Sequence, residues 1–390
     1  VLIIKYTFAK GFETSLKASD YKYGLAAWLE ELARVIKSFK YSRGTDLHMQ
    51  RADKILSGYL HSRTEHFRIL LTQYWSLVSF KILITAAMLI VGALLLVDQQ
   101  INIGQFIAAE IVILTVIGSV EKLIMNLDKV YDVLTSVQKL NKVTESEVEV
   151  EGTALMSDTG KGVSIDFHNV SFQYQDGIQA LRGMELHVTP GQKVCIMGES
   201  GAGKSTILRL LTGAFTNFDG SVLVDDVPIA NYNLTSLRAN TGILLSQQDI
   251  FHGTLFENIT MGNKSIQLKD ITELAERCGL VNFIQSQPKG FDTELDPTGK
   301  RLPSKIRQDI LLMRALLGKR RLLLLEEPFQ HMETPYQQHI MEYLNADREA
   351  TVLITTENAA IAKACDLVLY VENGAITFQG SWQQWQEKNR

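Results

Sequence analysis

The sequence predicts a multidomain chain. An all-α helical part that enters a membrane comes first, and an α/β domain built around a phosphate-binding loop follows. Three observations carry this. Residues 69–97 contain no ionisable side chain except Lys81 and the Tyr74 phenol. From Val163 a strand-and-turn pattern alternates with helices to the end of the chain. Inside that pattern, the apolar run Val194-Cys195-Ile196-Met197 leads straight into Gly198-Glu199-Ser200-Gly201-Ala202-Gly203-Lys204-Ser205-Thr206. At 390 residues the chain is too long for one ordinary domain, and 46% apolar against 21% charged residues is enough to build cores.

Charge and cysteine usage narrow the class. Lys+Arg at 39 against Asp+Glu at 43 gives a net charge of −4, which argues against a nucleic-acid partner. Cys195, Cys278 and Cys365 are far apart and form no CxxC pair, so neither a disulfide framework nor a zinc site is expected. The opening Val1-Leu2-Ile3-Ile4 reads as the end of an apolar segment, which would make the chain a piece of a longer protein.

Residues 5–68 are polar-amphipathic. Leu25, Trp28, Leu29, Leu32, Val35, Ile36 and Phe39 recur at three-and-four spacing, which predicts one helix with a single apolar face. At 1.5 Å per residue, segment 69–97 spans roughly 43 Å, more than the ~30 Å hydrocarbon core requires. Lys81 would face a bundle interior or snorkel to an interface. After the polar link 98–102, residues 103–117 are apolar apart from Gln105, Glu110 and Thr115. This second segment reads as a membrane span or as a buried core helix. Arg51, Lys54, Arg63 and Arg68 precede the pair and Lys122, Lys129, Lys139 and Lys142 follow it, whereas the turn carries only Asp98. The positive-inside rule then places the turn outside and both outer ends in the cytoplasm. The reading is a membrane hairpin over about 69–120. Helix continues over 118–143, with Leu123, Leu127, Val130, Tyr131, Leu134, Val137 and Leu140 on one face. The acidic, Gly/Ser/Thr-containing stretch 144–162 is predicted to be a linker.

The glycine-rich loop is a complete P-loop, preceded by a strand and followed by the helical Ile207-Leu208-Arg209-Leu210-Leu211. Its glycines let backbone N–H groups point inward at phosphate oxygens, and the helix start adds the positive end of its dipole. Lys204 would reach the β- and γ-phosphates, and the Ser205 hydroxyl would ligate Mg²⁺. Gly198 through Thr206 are therefore the predicted nucleotide-binding residues. Cys195, within the strand, reads as a small core residue.

The neighbouring motifs separate the P-loop classes. Val170-Ser171-Phe172-Gln173-Tyr174 resembles the adenine-stacking segment of the ATP-binding cassette (ABC) family. Ser246-Gln247-Gln248-Asp249-Ile250-Phe251-His252-Gly253-Thr254 and the residues to Ile259 resemble its glutamine loop. Arg314-Ala315-Leu316-Leu317 followed by Leu322-Leu323-Leu324-Leu325-Glu326-Glu327 resembles its signature helix and Walker B strand. With the hairpin ahead of it, the chain resembles the C-terminal part of an exporter-type half-transporter. Residues 1–143 would then be a partial transmembrane domain, 144–162 the linker and 163–390 the nucleotide-binding domain. The resemblance implies that Tyr174 stacks on adenine and that Gln247 contacts Mg²⁺ or the attacking water. It makes Glu327 the general base and puts Glu326 where the family has a magnesium-holding Asp. It also implies a second half-transporter as homo- or heterodimer partner, an inner (cell) membrane setting with the cassette in the cytoplasm, and an exported substrate. A secretion adaptor is a further partner it allows. These motifs serve exporters of peptides, proteins, lipids and drugs alike, so they name a transport ATPase and not its cargo.

The chain departs from the family at three places. Leu302 lies at the signature interval, but Pro303, Ser304, Lys305 and Ile306 follow it in place of Ser-Gly-Gly-Gln. Proline supplies neither a hydroxyl nor an N–H. Glu357 stands where a switch His is expected, and an ionised carboxylate only accepts hydrogen bonds. Glu333 replaces the dimer-loop Asp. The expected activity is ATP-driven export. The alternatives are a hydrolysis-poor, ATP-binding regulatory partner, or a soluble cassette enzyme whose apolar segments are core helices.

The topology is testable by labelling. A cysteine placed at Asn102 should react with an impermeant thiol reagent added outside intact cells, and one placed at Asn126 should not. The reverse pattern would overturn the orientation.

Overall fold

The computed structural model describes residues 2–42, 45–145, 148–157, 160–299, 301–347 and 349–388. The chain divides into two compact units, Val1–Glu147 and Val148–Arg390. Val1 and, within the predicted linker 144–162, residues 146, 147, 158 and 159 lie outside the described residues.

The first unit is helical: α1 (Leu2–Arg34), α2 (Ile36–Tyr41), α3 (Leu47–Val97), α4 (Ile103–Met125) and α5 (Leu127–Thr144). The single helix predicted across 25–39 breaks at Val35, whose φ of −109° and ψ of 20° leave the helical region. Helix α3 runs 51 residues, so its apolar part continues a helix begun well upstream. It and the helix pair starting at Ile103 are long and apolar enough to cross a membrane, and hardly any of their apolar windows is buried within the chain. Lipid-facing helices have that property. Between them, Asn102 accepts from the Gln105 N–H at 2.8 Å while the Gln105 side chain accepts from the Asn102 N–H at 3.0 Å, a capping box that starts α4. Lys81 pairs with Glu121 across α3 and α4 at 3.2 Å, so a partner on the neighbouring helix holds the one intra-segment cation.

Polar contacts hold α1, α3 and α5 together. His66 of α3 places Nδ1 3.1 Å from Thr14 Oγ1 of α1 and Nε2 3.1 Å from an Asp128 carboxylate oxygen of α5. Gln73 donates to the Tyr131 hydroxyl at 3.1 Å, and Ser15 meets Thr135 at 3.1 Å. Tyr131 is fully buried against Gly11, where a Cβ would stand 2.7 Å from the phenol oxygen. The face of α5 that packs is therefore Leu127, Tyr131 and Thr135. Val130, Val137 and Leu140, predicted on the packed face, are exposed, because the polar seam rather than the apolar stripe selects the contact.

The second unit is α/β. Its N-terminal layer holds β1 (Ile165–Gln173) and β2 (Gln179–Val188). Next come β3 (Lys193–Met197), α6 (Lys204–Leu210), β4 (Asp219–Val224), β5 (Val227–Pro228), α7 (Leu234–Ala239) and β6 (Thr241–Leu244). A mostly helical stretch follows: β7 (Gly253–Thr254), α8 (Leu255–Thr260), α9 (Leu268–Cys278), α10 (Val281–Ser286), β8 (Glu294–Leu295) and α11 (Ser304–Leu316). The chain returns through β9 (Leu322–Glu326), α12 (Thr334–Ala346), β10 (Thr351–Thr355), α13 (Ala359–Lys363), β11 (Leu367–Glu372), β12 (Ala375–Gly380) and α14 (Trp382–Lys388). Strands β11, β3, β10, β9 and β6 are parallel neighbours, with β12 antiparallel at one edge. Strands β2, β1, β4 and β5 form a separate antiparallel sheet. The central strands are buried on both faces, which is why Val194-Cys195-Ile196 and Leu322 through Leu325 read as unbroken apolar runs. One core lies around α6 and a second among α8, α9, α11 and α12.

Much of the predicted linker belongs to this unit. Glu149 accepts two 2.7 Å hydrogen bonds from Arg238, Glu151 accepts from the Leu234 N–H at 3.0 Å, and Met156 is buried. Arg321 bonds the carbonyls of Ser157, Lys161 and Gly162 at 3.0, 2.6 and 3.1 Å and pairs with Asp225 at 2.7 Å. A buried guanidinium fixes the segment that composition alone marked as loose. Arg321→Ala should therefore destabilise the second unit by about 3–5 kcal/mol, the usual cost of breaking a buried pair. A thermal melt should show the loss, and limited proteolysis should open 149–162; an unchanged melt would refute the anchoring role.

Candidate functional site

The P-loop joins β3 to α6 at the carboxyl end of the parallel sheet. Gly198 (φ 144°) and Gly203 (φ 107°) take left-handed backbone that only glycine adopts freely. They also have no room for a side chain: a Cβ would lie 2.1 Å from the Val371 carbonyl oxygen at Gly198 and 2.6 Å from that of Ala180 at Gly203. Residues Glu199 through Thr206 line one side of a cavity of about 590 Å³, closed elsewhere by Tyr174, Glu326, Glu327, Thr355 and Glu357. Gly198 is outside the lining and acts as the turn: its carbonyl accepts a hydrogen bond from the Lys204 ammonium, as does that of Glu199 at 2.9 Å.

Parallel pairing of β9 with β6 and β10 brings the two glutamates to the same end of the sheet. The Glu326 Oε1 atom accepts a short hydrogen bond from the Ser205 hydroxyl, and Oε2 accepts from the Ser246 N–H at 2.8 Å. Glu327 sits at φ 45°, a left-handed conformation for a residue with a side chain. Its N–H is held there by the Thr355 carbonyl and hydroxyl oxygens, both at 3.1 Å. Burial pushes the Glu327 carboxyl above the usual glutamate range. Lys204 opposes that shift, while Glu357 and Glu326 add to it.

Tyr174 lines the cavity through a half-buried ring packed edge-on against Phe172, with centroids 4.9 Å apart, and its hydroxyl is 3.0 Å from Thr206 Oγ1. Gln247 departs from the sequence reading. Its side chain is exposed and lines neither the cavity beside the P-loop nor the one beside Ser246 and Gln308. The loop after β6 turns with the Gln248 N–H on the Leu245 carbonyl at 3.1 Å, which directs Gln248 inward and Gln247 outward. Gln248 lines a second cavity of about 290 Å³ with Ser246, Arg307, Gln308 and Gln330, and this cavity shares Glu326 and Glu327 with the first. Sequence reasoning missed Arg307, Gln308 and Gln330. Gln308 donates to the Glu327 carbonyl at 3.2 Å, and the signal for it was its place one turn into the helix that follows Pro303.

Comparison with known proteins agrees with this geometry. The ABC transporter family model matches residues 181–330. A probable ABC transporter ATP-binding/permease protein of Haemophilus influenzae is 27% identical over 88% of this chain and 61% of its own length. The alpha-hemolysin translocation ATP-binding protein HlyB of Escherichia coli O157:H7 is 26% identical over 92% of this chain and 51% of its own length. The chain thus spans between half and two thirds of these relatives. The solved structure of a bacterial Atm1-family ABC exporter with ATP bound superposes with a TM-score of 0.89 at 22% identity, over 100% of this chain and 68% of that one. The chain therefore shares the fold of that exporter structure, long helices followed by an α/β unit, and residues 181–330 of that unit resemble the ABC transporter family.

Proposed function

We propose that this chain is a half-transporter of the inner membrane that dimerises, with its cassette in the cytoplasm, and drives export of a substrate by binding and hydrolysing ATP. The carrying observation is the cavity that the P-loop forms with Glu326 and Glu327, in a chain that also holds two helices of membrane-spanning length. The N–H groups of Glu199 through Thr206 would bind the phosphates. Lys204 would exchange its carbonyl partners for the β- and γ-phosphates, and Tyr174 would stack on adenine. Ser205 Oγ and the Glu326 carboxylate are hard oxygens already drawn together, which fits Mg²⁺; the ion, when bound, would offset charge on the phosphates. Glu326 thus takes the role of an Asp one methylene shorter. Glu327 would orient the water and accept its proton, with Gln308 and Thr355 fixing its backbone. In place of Gln247, Gln248 is the glutamine positioned beside the two glutamates.

The altered signature and switch support a second reading, a hydrolysis-poor partner of an intact half. Pro303 precedes α11 without any side-chain cap, and Glu357 adds a further carboxylate to the cavity that holds Glu326 and Glu327. Both changes remove donors aimed at a γ-phosphate or add repulsion to it, so turnover by a homodimer should be slow.

Lys204→Ala removes the ammonium and leaves the loop amides, so calorimetric ATP affinity should fall roughly tenfold or more with the fold intact. Equal affinity would refute the assignment. In lipid, Pro303→Ser with Glu357→His should raise the ATPase rate by about tenfold, a cautious share of the ~10²–10³ that one such donor is worth. Adding Glu327→Gln should abolish the gain. A native rate already equal to that of the repaired variant would show that the site functions without these elements.

A further inference from the structure

Lys305 and Asp309 stand one turn apart at the start of α11, where the signature is altered. The Lys305 ammonium lies 3.0 Å from Asp309 Oδ2, and its side chain is mostly covered. The Tyr336 ring of α12 sits beside the ammonium, with its centroid 5.4 Å away. Asp309 is fully buried, and its Oδ1 has no hydrogen-bond partner among the described residues. The groups acting on this carboxyl are Lys305 from its own helix and Glu333 at the start of α12, with the Cys278 thiol of α9 alongside. Burial raises Asp309 to about 6, Lys305 opposes the rise and Glu333 adds to it.

Helix stability does not explain the pair. A cation in the first turn opposes the helix dipole, and a base placed four residues before an acid is the weaker order for a helical ion pair. Burial of the carboxylate does explain it, because a buried charge needs a partner. Helical side chains lean toward the helix start. Asp309 therefore leans to meet Lys305, whereas an unheld Lys305 would carry its ammonium past the start of α11.

We propose that Asp309 is a positioning residue that draws the Lys305 ammonium back along α11, so that this lysine neutralises a buried carboxylate of its own domain and meets no phosphate. The pair stands on its own geometry; naming the phosphate rests on the proposed ATP-driven function. One consequence is that the two positions must change together. Glycine at 305 alone would strand Asp309, and a signature repaired at 305 requires a neutral residue at 309.

The test uses the full chain in lipid, with Lys305→Gly, Lys305→Met, Asp309→Asn and their combinations. Lys305→Gly should lower the melting midpoint of the cassette by on the order of 10 °C, and adding Asp309→Asn should return most of that loss. If Lys305→Gly alone does not fold, rescue by Asp309→Asn reports the same coupling. Lys305→Met should leave the KM for ATP unchanged. Asp309→Asn alone should lower that KM roughly tenfold and steepen its salt dependence, with kcat unchanged, because the freed ammonium gains a charged contact. Adding Lys305→Met should cancel that gain. Equal melting of Lys305→Gly and the double variant would overturn the proposal. So would a raised KM in Lys305→Met, or a KM and salt dependence that Asp309→Asn does not move. Failure of the wild-type chain to bind ATP would instead defeat the proposed function, and the melts would still judge the pair.

Discussion

The Glu326 carboxylate bridges two segments that the chain order keeps far apart. One oxygen takes the Ser205 hydroxyl from the P-loop helix, and the other takes the Ser246 N–H from the loop after β6. Both bonds are possible because β3, β10, β9 and β6 lie parallel and adjacent, so their carboxyl ends open on one edge. The same strand end sets the next residue, Glu327, in its left-handed conformation between Thr355 and Gln308. Shifting β9 by one residue would exchange the faces of Glu326 and Glu327 and dismantle both cavities at once.

Charge is handled differently in the two units. In the helical unit, two ionisable side chains meet partners on neighbouring helices: Lys81 meets Glu121 and His66 meets Asp128. In the second unit, four glutamates (Glu199, Glu326, Glu327 and Glu357) line one cavity with Lys204, and burial keeps Glu327 above its ordinary range. Glu357 adds negative charge beside Glu327 and so disfavours its ionised form further.

Changes at the start of α11 act as a group. Lys305 and Asp309 compensate one another, and Tyr336 and Glu333 from α12 complete their surroundings. Along the sequence, residues 303–306 are only a short stretch at the start of a helix. In three dimensions, one of them belongs to a buried ion pair, and replacing it alone would cost stability. That is the expected behaviour of contacting residues, whose effects do not add.

What the sequence determined by itself was whatever local chemistry dictates. Gly198, Gly201 and Gly203 marked a tight loop between a strand and a helix, the run 69–97 marked a long apolar helix, and the Leu322–Leu325 run ending in two glutamates marked a buried strand. The tertiary structure decided everything that depends on direction. Of the two glutamines after β6, Gln248 lines a cavity beside Glu326 and Glu327 while Gln247 is exposed, in a turn closed by the Gln248 N–H on the Leu245 carbonyl. The packed face of α5 proved to be Leu127, Tyr131 and Thr135, because hydrogen bonds across helices outweighed an apolar stripe. The stretch 149–157 proved to be tied to its unit, because Arg238 and Arg321 satisfy its carboxylates and carbonyls from distant positions. Spacing along a chain records period and composition. Which neighbour satisfies a buried charge or an open carbonyl is fixed only when separate segments meet.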